Sequence, residues 1–177
     1  MTIEVITISG EIAMGKTTIS QELVKKLPGW QHVSTGAKFR EITAARGMPI
    51  QAVSSLPDEV HQAVDDWQRA LAQTGSKLII EGRLAGWLTR ELAHVFRVYC
   101  YAPLDIRIAR YVEREECTAE QAKNDIEYRD SRDVQKFQNA YGVEDYRAPA
   151  FYSFLLDTST ASPVELADLI IRQAGLG

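Results

Sequence analysis

The chain has 177 residues, a length that fits one domain with a hydrophobic core of its own. Hydrophobic residues make up 45% of the sequence and charged residues 25%, which is ordinary for a globular protein. The net charge of −4 argues against a general nucleic-acid or anionic-membrane surface, and no apolar run approaches the roughly 20 residues that span a bilayer.

The first apolar stretch, residues 3–8, predicts a strand, and the most specific motif of the chain follows it. This motif fits the pattern G-x-x-x-x-G-K-[ST] and consists of Gly10, Glu11, Ile12, Ala13, Met14, Gly15, Lys16, Thr17 and Thr18. Its glycines allow backbone N–H groups to point inward, and the helix predicted over residues 15–27 directs its positive end at the same concavity. We therefore expect a phosphate-binding loop in which Lys16 reaches the β and γ phosphates of a nucleoside triphosphate and Thr17 binds Mg²⁺.

Four further apolar runs, at residues 30–33, 78–80, 95–101 and 154–156, alternate with helical patterns along the rest of the chain. Near-continuous apolar strands separated by helices are typical of a parallel sheet covered on both faces. The sequence thus predicts a five-stranded parallel sheet with helices on both faces. Ligands of such sheets bind at the carboxyl ends of the strands, so the residues after each strand are the candidate site.

Two arginines follow the second and third strands at this edge. Arg40 lies in the second turn of a helix that Ser34 or Thr35 begins, and Arg83 ends the stretch Glu81-Gly82-Arg83. Arginine binds phosphate bidentately, so the pair predicts a second anion site, although either side chain alone could be a surface ion-pair partner. Glu81 has two open roles: it holds an Mg²⁺-bound water or it ties down the neighbouring loop.

Two cationic stripes come next in the chain. Each has the spacing i, i+3, i+7 of one helical face: Arg107, Arg110 and Arg114, then Arg129, Arg132 and Lys136. The alternative is a solvated face with ion pairs at i, i+4 spacing, such as Asp125 with Arg129 and Arg129 with Asp133. Because phosphoryl transfer depends on charge neutralisation, we favour a charged hairpin that closes over bound phosphates and excludes water.

In this order, these residues make the chain resemble a nucleoside monophosphate kinase, and specifically the cytidylate kinase family. Besides the phosphate loop, the resemblance is carried by Ser34-Thr35-Gly36 with Phe39-Arg40, Glu81-Gly82-Arg83 with Gly86, Ala102-Pro103-Leu104, Arg129-Asp130-Ser131-Arg132-Asp133, and Leu156-Asp157-Thr158. The short span between Arg40 and Lys77 is similar to the compact archaeal-type members.

The resemblance implies a single P-loop kinase domain with three parts. These are a core (residues 1–35, 75–109 and 137–177), a monophosphate-binding segment (36–74) and a lid (110–136). It implies ATP and Mg²⁺ as cofactors, with Thr17 and Glu81 at the metal and the loop after Asp157 against the adenine. The implied catalytic residues are Lys16, Arg40, Arg83, Arg110, Arg114 and Arg132. The implied acceptor-binding residues are Thr35, Gly36, Arg40, Gly82 and Arg83 around the phosphate, with Arg129 and Asp133 at the cytosine base.

The chain departs from the family pattern at several of these positions. Glu11 and Met14 stand where family loops carry smaller residues, and a carboxylate that points inward there would weaken triphosphate binding. Leu84 replaces an aspartate that often follows Gly-Arg, and Lys136 replaces an arginine of the base-binding set. The last two departures bear on base selectivity more than on ATP binding.

The expected reaction is transfer of the ATP γ-phosphoryl group to CMP or dCMP. Two alternatives stay open: a small-metabolite kinase of the same fold, acting for example on shikimate with Glu81 as base, and a nucleotide-binding regulatory protein whose catalysis has decayed. The expected partner is the nucleoside monophosphate substrate, with no nucleic acid, membrane or obligate protein partner. Two cysteines without CxxC spacing and the lack of a signal peptide predict a cytoplasmic protein.

Overall fold

The computed structural model describes residues 2–48, 53 and 55–177. Its centre is a sheet of five parallel strands in the spatial order β2-β3-β1-β4-β5. The strands are β1 (Val5–Ser9), β2 (Gln31–Ser34), β3 (Leu78–Glu81), β4 (Val95–Tyr101) and β5 (Phe154–Asp157). Each strand overlaps one of the five predicted apolar runs, so the predicted five-stranded parallel sheet is confirmed.

Seven α-helices accompany the strands in the part of the chain that the structure describes. They are α1 (Lys16–Lys26), α2 (Thr35–Ala45), α3 (Asp58–Thr74), α4 (Ala85–Leu88), α5 (Leu104–Glu115), α6 (Ala119–Tyr141) and α7 (Pro163–Ala174). A short 3-10 helix, Pro149–Phe151, precedes β5. Among the described residues, none of the helices combines the length and the apolar character needed to cross a membrane.

The alternation of side chains along the strands divides the core between the two faces of the sheet. Ile6 and Ile8 of β1 join a cluster that contains Leu23 of α1 and Ile170 of α7. Val5, one residue earlier, packs in a separate cluster that contains residues of α3 and α4. Helices therefore cover both faces, because every strand residue of β1 is buried and must meet an apolar partner.

The position of β1 in the sheet creates the crevice for ligands. β1 pairs with β3 on one side and with β4 on the other, so the strand order reverses around it. A point of reversal opens a crevice at the carboxyl ends of the strands. The residues after β1 and β3 therefore lie next to each other at one edge of the sheet.

Helices α5 and α6 form a hairpin that packs on the loop after β1. Its turn is fixed by a capping box, in which the Thr118 hydroxyl accepts from the backbone N–H of Gln121 while the Gln121 side chain accepts from the backbone N–H of Thr118. Apolar side chains join the hairpin to the loop in one buried cluster: Ile12, Ala13, Tyr111, Ala122 and Ile126. This apolar contact holds the charged hairpin close to the candidate site.

Candidate active site

The predicted phosphate loop lies between β1 and α1. Gly10 has a φ of 143°, and a Cβ added to it would lie 2.5 Å from the carbonyl oxygen of Cys100 on β4. Only glycine fits there without a shift of the main chain. The loop is thus held against the sheet by its own backbone, as the glycine spacing predicts.

Lys16 begins α1 and turns back over the loop. Its Nζ donates to the backbone carbonyl of Glu11 at 2.6 Å. Burial lowers the pKa of Lys16 to about 8, the charge of Glu81 opposes this shift, and the charge of Arg83 adds to it. The charge of Lys16 is therefore affected by Glu81, the last residue of β3, and by Arg83, which follows that strand.

Glu81 joins Thr17 to a residue that the sequence patterns missed. The Thr17 hydroxyl donates to Oε1 of Glu81 at 2.8 Å, and Nε2 of His32 on β2 donates to Oε2 at 3.0 Å. Burial raises the pKa of Glu81, but the His32 hydrogen bond and the charge of Lys16 outweigh it, so the net pKa is lowered. An ionised carboxylate beside a hydroxyl is a donor set that suits Mg²⁺.

The part of the crevice where the sequence predicted the acceptor phosphate, called the acceptor side below, begins at Gly82. A Cβ at this position would lie 2.5 Å from both Oγ1 of Thr35 and Oε1 of Gln68, so the chain approaches α2 and α3 closely here. The Thr35 hydroxyl donates to Gln68. Gly36 follows on α2, and the exposed Arg40 guanidinium lies near it. The ends of β2 and β3 thus form one surface, on which the sequence predicted the acceptor phosphate.

Arg83 connects this surface to the α5–α6 hairpin. It forms an ion pair with Asp133 of α6, a residue that the family resemblance places at the base. Burial lowers the pKa of Arg83, and Glu11 and Arg129 are close enough to act on it. Asp133 therefore pairs with Arg83 rather than with Arg129 at i, i+4 spacing on its own helix, and Asp125 accepts a hydrogen bond from the Tyr111 hydroxyl.

The hairpin cations fall into two groups. Arg110 reaches the core, where Nη2 donates to the Thr158 carbonyl at 2.6 Å and Nη1 to its hydroxyl at 2.9 Å. Arg114 is exposed and pairs with Glu115, and Arg132 is exposed and donates to the Tyr128 hydroxyl. The structure thus brings Arg110 to the predicted phosphate loop, called the donor side below, and does not bring Arg114 or Arg132 to Lys16.

The loop after β5 lies beside the Arg110 contact. The Asp157 carboxylate accepts hydrogen bonds from the backbone N–H and the hydroxyl of Ser159 at 2.9 and 2.6 Å. These bonds lower the pKa of Asp157. Asp157 thus shapes the loop for which the sequence predicted an adenine contact.

A charged network around Glu11 escaped the sequence patterns. Glu11 is 8% exposed and Arg107 is 6% exposed. Arg107 of α5 donates to the Ile12 carbonyl at 2.9 Å, to Oε2 of Glu11 at 3.3 Å and to Asp130 of α6 at 2.5 Å. Arg147, in the loop before β5, donates to Oε1 of Glu11 at 3.2 Å. Two guanidinium groups therefore neutralise the carboxylate that the sequence marked as unusual.

Met14, the other unusual loop residue, is buried in the main core cluster. The only signal for Arg107 was its place in the first cationic stripe, and nothing local to Arg147 pointed to Glu11. Both pairings depend on segments that are far apart in the chain.

The structure is similar to several solved structures. Shikimate kinase from Acinetobacter baumannii matches with a TM-score of 0.64 at 19% identity, covering 97% of this chain and 92% of that one. An uncharacterized protein from Eubacterium ventriosum matches with a TM-score of 0.70 at 17% identity, covering 97% and 98%. At these identities the likeness shows the fold alone.

Relatives found by sequence similarity identify the family of the chain more specifically than the fold does. A cytidylate kinase from Thermoplasma volcanium is 31% identical over 172 residues, 95% of this chain and 90% of that protein. A cytidylate kinase from Pyrococcus abyssi is 33% identical over 162 residues, 90% of this chain and 87% of that protein. The model of the cytidylate kinase-like family matches residues 5–160. The chain therefore belongs to the cytidylate kinase-like family.

Proposed function

We propose that the protein transfers the γ-phosphoryl group of ATP to CMP or dCMP in an Mg²⁺-dependent reaction. The observation that carries the proposal is the position of Lys16 and Arg83 just after the neighbouring parallel strands β1 and β3, where the charge of Arg83 acts on the partly buried Lys16. One cation belongs to the triphosphate loop and the other to the acceptor surface. Two phosphate groups bound there would face each other.

On the donor side, the loop Gly10 to Thr18 would hold the triphosphate, and the loop after Asp157 would lie against the adenine. Thr17 and Glu81 would hold Mg²⁺, which neutralises charge on the β and γ oxygens when bound. His32 keeps one Glu81 oxygen occupied, so the carboxylate is oriented by a hydrogen bond at each oxygen. This orientation favours a metal-binding role over that of a mobile base.

On the acceptor side, Arg40 and Arg83 would bind the monophosphate between Thr35, Gly36 and Gly82. Its second pKa lies near 6, so it is largely an oxyanion at pH 7 and needs no general base. Catalysis then consists of positioning the two phosphates and neutralising their charge. Lys16, Arg40 and Arg83 would supply the positive charges for both.

We also propose that residues 36–74 act as the monophosphate-binding segment and residues 110–136 as a lid. Closure would bring further cations, Arg110, Arg114 and Arg132, to the transferred group, and place Arg129 and Asp133 at the base. Cys100 and Cys117 are free thiols, which fits a reducing compartment such as the cytoplasm.

A screen of acceptors tests this proposal. ADP release from MgATP is measured with CMP, dCMP, UMP, AMP, GMP and shikimate, with Lys16→Ala as the control. We expect turnover with CMP or dCMP that Lys16→Ala abolishes. Turnover with shikimate alone would support the small-metabolite kinase, and ATP binding without turnover on any acceptor would support the decayed regulatory protein.

A further inference from the structure

The phosphate loop contains one acidic residue, Glu11, and this residue touches the cation of the loop. The Nζ of Lys16 donates to the Glu11 backbone carbonyl at 2.6 Å. A triphosphate held by the loop would carry its negative charge next to Glu11, and like charges repel each other more strongly in a partly buried site than in water. The direction in which the Glu11 carboxylate is held therefore bears on triphosphate binding.

Two arginines hold this carboxylate, one at each oxygen, and they are not equivalent. Arg107 donates to Oε2 of Glu11 at 3.3 Å, and it also donates to the Ile12 carbonyl and pairs with Asp130. Arg147 donates to Oε1 at 3.2 Å. Arg107 is buried, whereas 40% of the Arg147 side chain is exposed. Arg107 is thus part of the packing between the loop and the hairpin, and Arg147 can be replaced with much less disturbance of that packing.

Arg147 is itself held in place by a carboxylate of its own segment. Its Nε and its backbone N–H donate to Oδ1 of Asp145 at 2.7 and 2.9 Å, and its Nη2 donates to Oδ2 at 3.3 Å. These hydrogen bonds raise the pKa of Arg147 and lower the pKa of Asp145, so both groups stay charged. The guanidinium therefore reaches Glu11, 136 positions away in the chain, as an oriented cation.

We propose that Arg147 is a positioning residue for the triphosphate, which acts through Glu11 by keeping its carboxylate turned away from the phosphates. This inference rests on the proposed function and adds Arg147 to the residues on which ATP binding depends. Both carboxylate oxygens are occupied by guanidinium groups, so Glu11 cannot turn toward Lys16 without giving up a charged hydrogen bond. Without Arg147, Oε1 would lose the hydrogen bond that the described part of the chain gives it, and the carboxylate would compete with the triphosphate for Lys16.

The test measures the affinity for MgATP by calorimetry without an acceptor, so that the result does not depend on turnover of CMP. We expect Arg147→Met to weaken MgATP binding about 5- to 10-fold, the effect of one partly exposed charge pair. Glu11→Gln in the Arg147→Met background should bring the affinity back to within about 2-fold of the wild type, because no carboxylate is left to compete. Kinetics of Arg147→Met should show a raised KM for ATP with kcat and the KM for CMP unchanged, since uniform binding is lost.

Asp145→Asn in the Arg147→Met background is the matched control. Like Glu11→Gln, it removes one carboxylate that pairs with Arg147, but Asp145 is not part of the phosphate loop. It should leave the affinity for MgATP as low as in Arg147→Met alone. Equal recovery in the two double variants would show that only the local net charge matters, and would overturn the positioning role.

The remaining outcomes separate this inference from the proposed function. An Arg147→Met variant that binds MgATP like the wild type overturns the inference, and so does a weakened affinity that Glu11→Gln does not recover. MgATP binding without turnover of CMP or dCMP overturns the proposed reaction alone. A wild type that does not bind MgATP overturns both. Arg147→Gln, which removes the charge but keeps a polar side chain, replaces Arg147→Met if that variant does not fold, and the same outcomes decide.

Discussion

The donor and acceptor sides of the crevice hold their cations differently. On the donor side, Lys16 rests on a neutral backbone carbonyl of its own loop. On the acceptor side, Arg83 is already paired with the carboxylate of Asp133, which comes from the hairpin. A triphosphate bound as proposed would therefore meet a lysine whose hydrogen bond goes to a backbone carbonyl, whereas a monophosphate on Arg83 would have to displace Asp133.

The two sides would therefore bind the two proposed substrates in different ways. The donor loop is a backbone cradle that packing keeps in shape before any ligand arrives. The proposed acceptor surface is assembled from side chains of α2, α3 and α6. Without a ligand, its Arg83 is paired with Asp133 of α6. Exchange of Asp133 for a phosphate on Arg83 would couple acceptor binding to movement of the hairpin.

Removal of the donor cation should have the largest effect. Lys16→Ala is expected to lower kcat about 10³-fold, because it removes the charge at the transferred group. Steady-state ADP release measures the loss. Lys25→Ala, an exposed lysine of the same helix, should stay within about 2-fold of the wild type. Equal losses in the two variants would contradict the assignment of Lys16.

Removal of the acceptor arginine should come next. Arg83→Ala is expected to lower kcat/KM for CMP about 10²-fold and to leave the affinity for ATP unchanged, since only the acceptor side loses a cation. Kinetics at varied CMP and a separate ATP titration measure the two effects. Arg90→Ala is the control, because Arg90 stacks on Trp87 at the far end of α4. Weaker ATP binding in Arg83→Ala with an unchanged KM for CMP would reverse the comparison.

The Glu11 network tests whether the donor side is held by charge as well as by packing. Glu11→Gln leaves Arg107 and Arg147 with a neutral partner, and should lower the free energy of unfolding by about 1–3 kcal/mol. Chemical denaturation measures it, with Glu113→Gln as an exposed control on α5 that should change little. A variant as stable as the wild type would mean that apolar contacts alone hold the hairpin.

His61 offers the smallest effect, on the acceptor side. Burial lowers the pKa of His61 to about 4, while its ring donates to the Val53 carbonyl and lies 5.1 Å from the Phe39 ring. As the pH falls below 6.5, His61 becomes protonated in the unfolded chain before it does so in the folded protein. Acid therefore stabilises the unfolded state and lowers the free energy of unfolding. Between pH 6.5 and 5, this should remove about 1.5 kcal/mol of stability.

Urea denaturation at both pH values measures the His61 effect. The fall in unfolding free energy should be about 1.5 kcal/mol larger in the wild type than in His61→Gln, which has no group that titrates there. The same fall in both proteins would show that other groups carry the acid sensitivity. Carboxylates that titrate in the same pH range change the unfolding free energy of both proteins equally, so their contribution cancels in the difference.

Local pattern alone determined the sheet, the phosphate loop and the strand-end positions of Glu81 and Arg83. Apolar runs and glycine spacing act over a few residues, so the sequence carries them directly. Only the tertiary structure decided which charges meet. His32 bonds to Glu81, which is 49 positions away in the chain, and Arg107 bonds to Glu11, which is 96 positions away. Asp133 pairs with Arg83 rather than with Arg129 on its own helix. The physical reason is that a buried charge must find its partner wherever the fold places one, and helical spacing describes only the neighbours that the chain itself supplies.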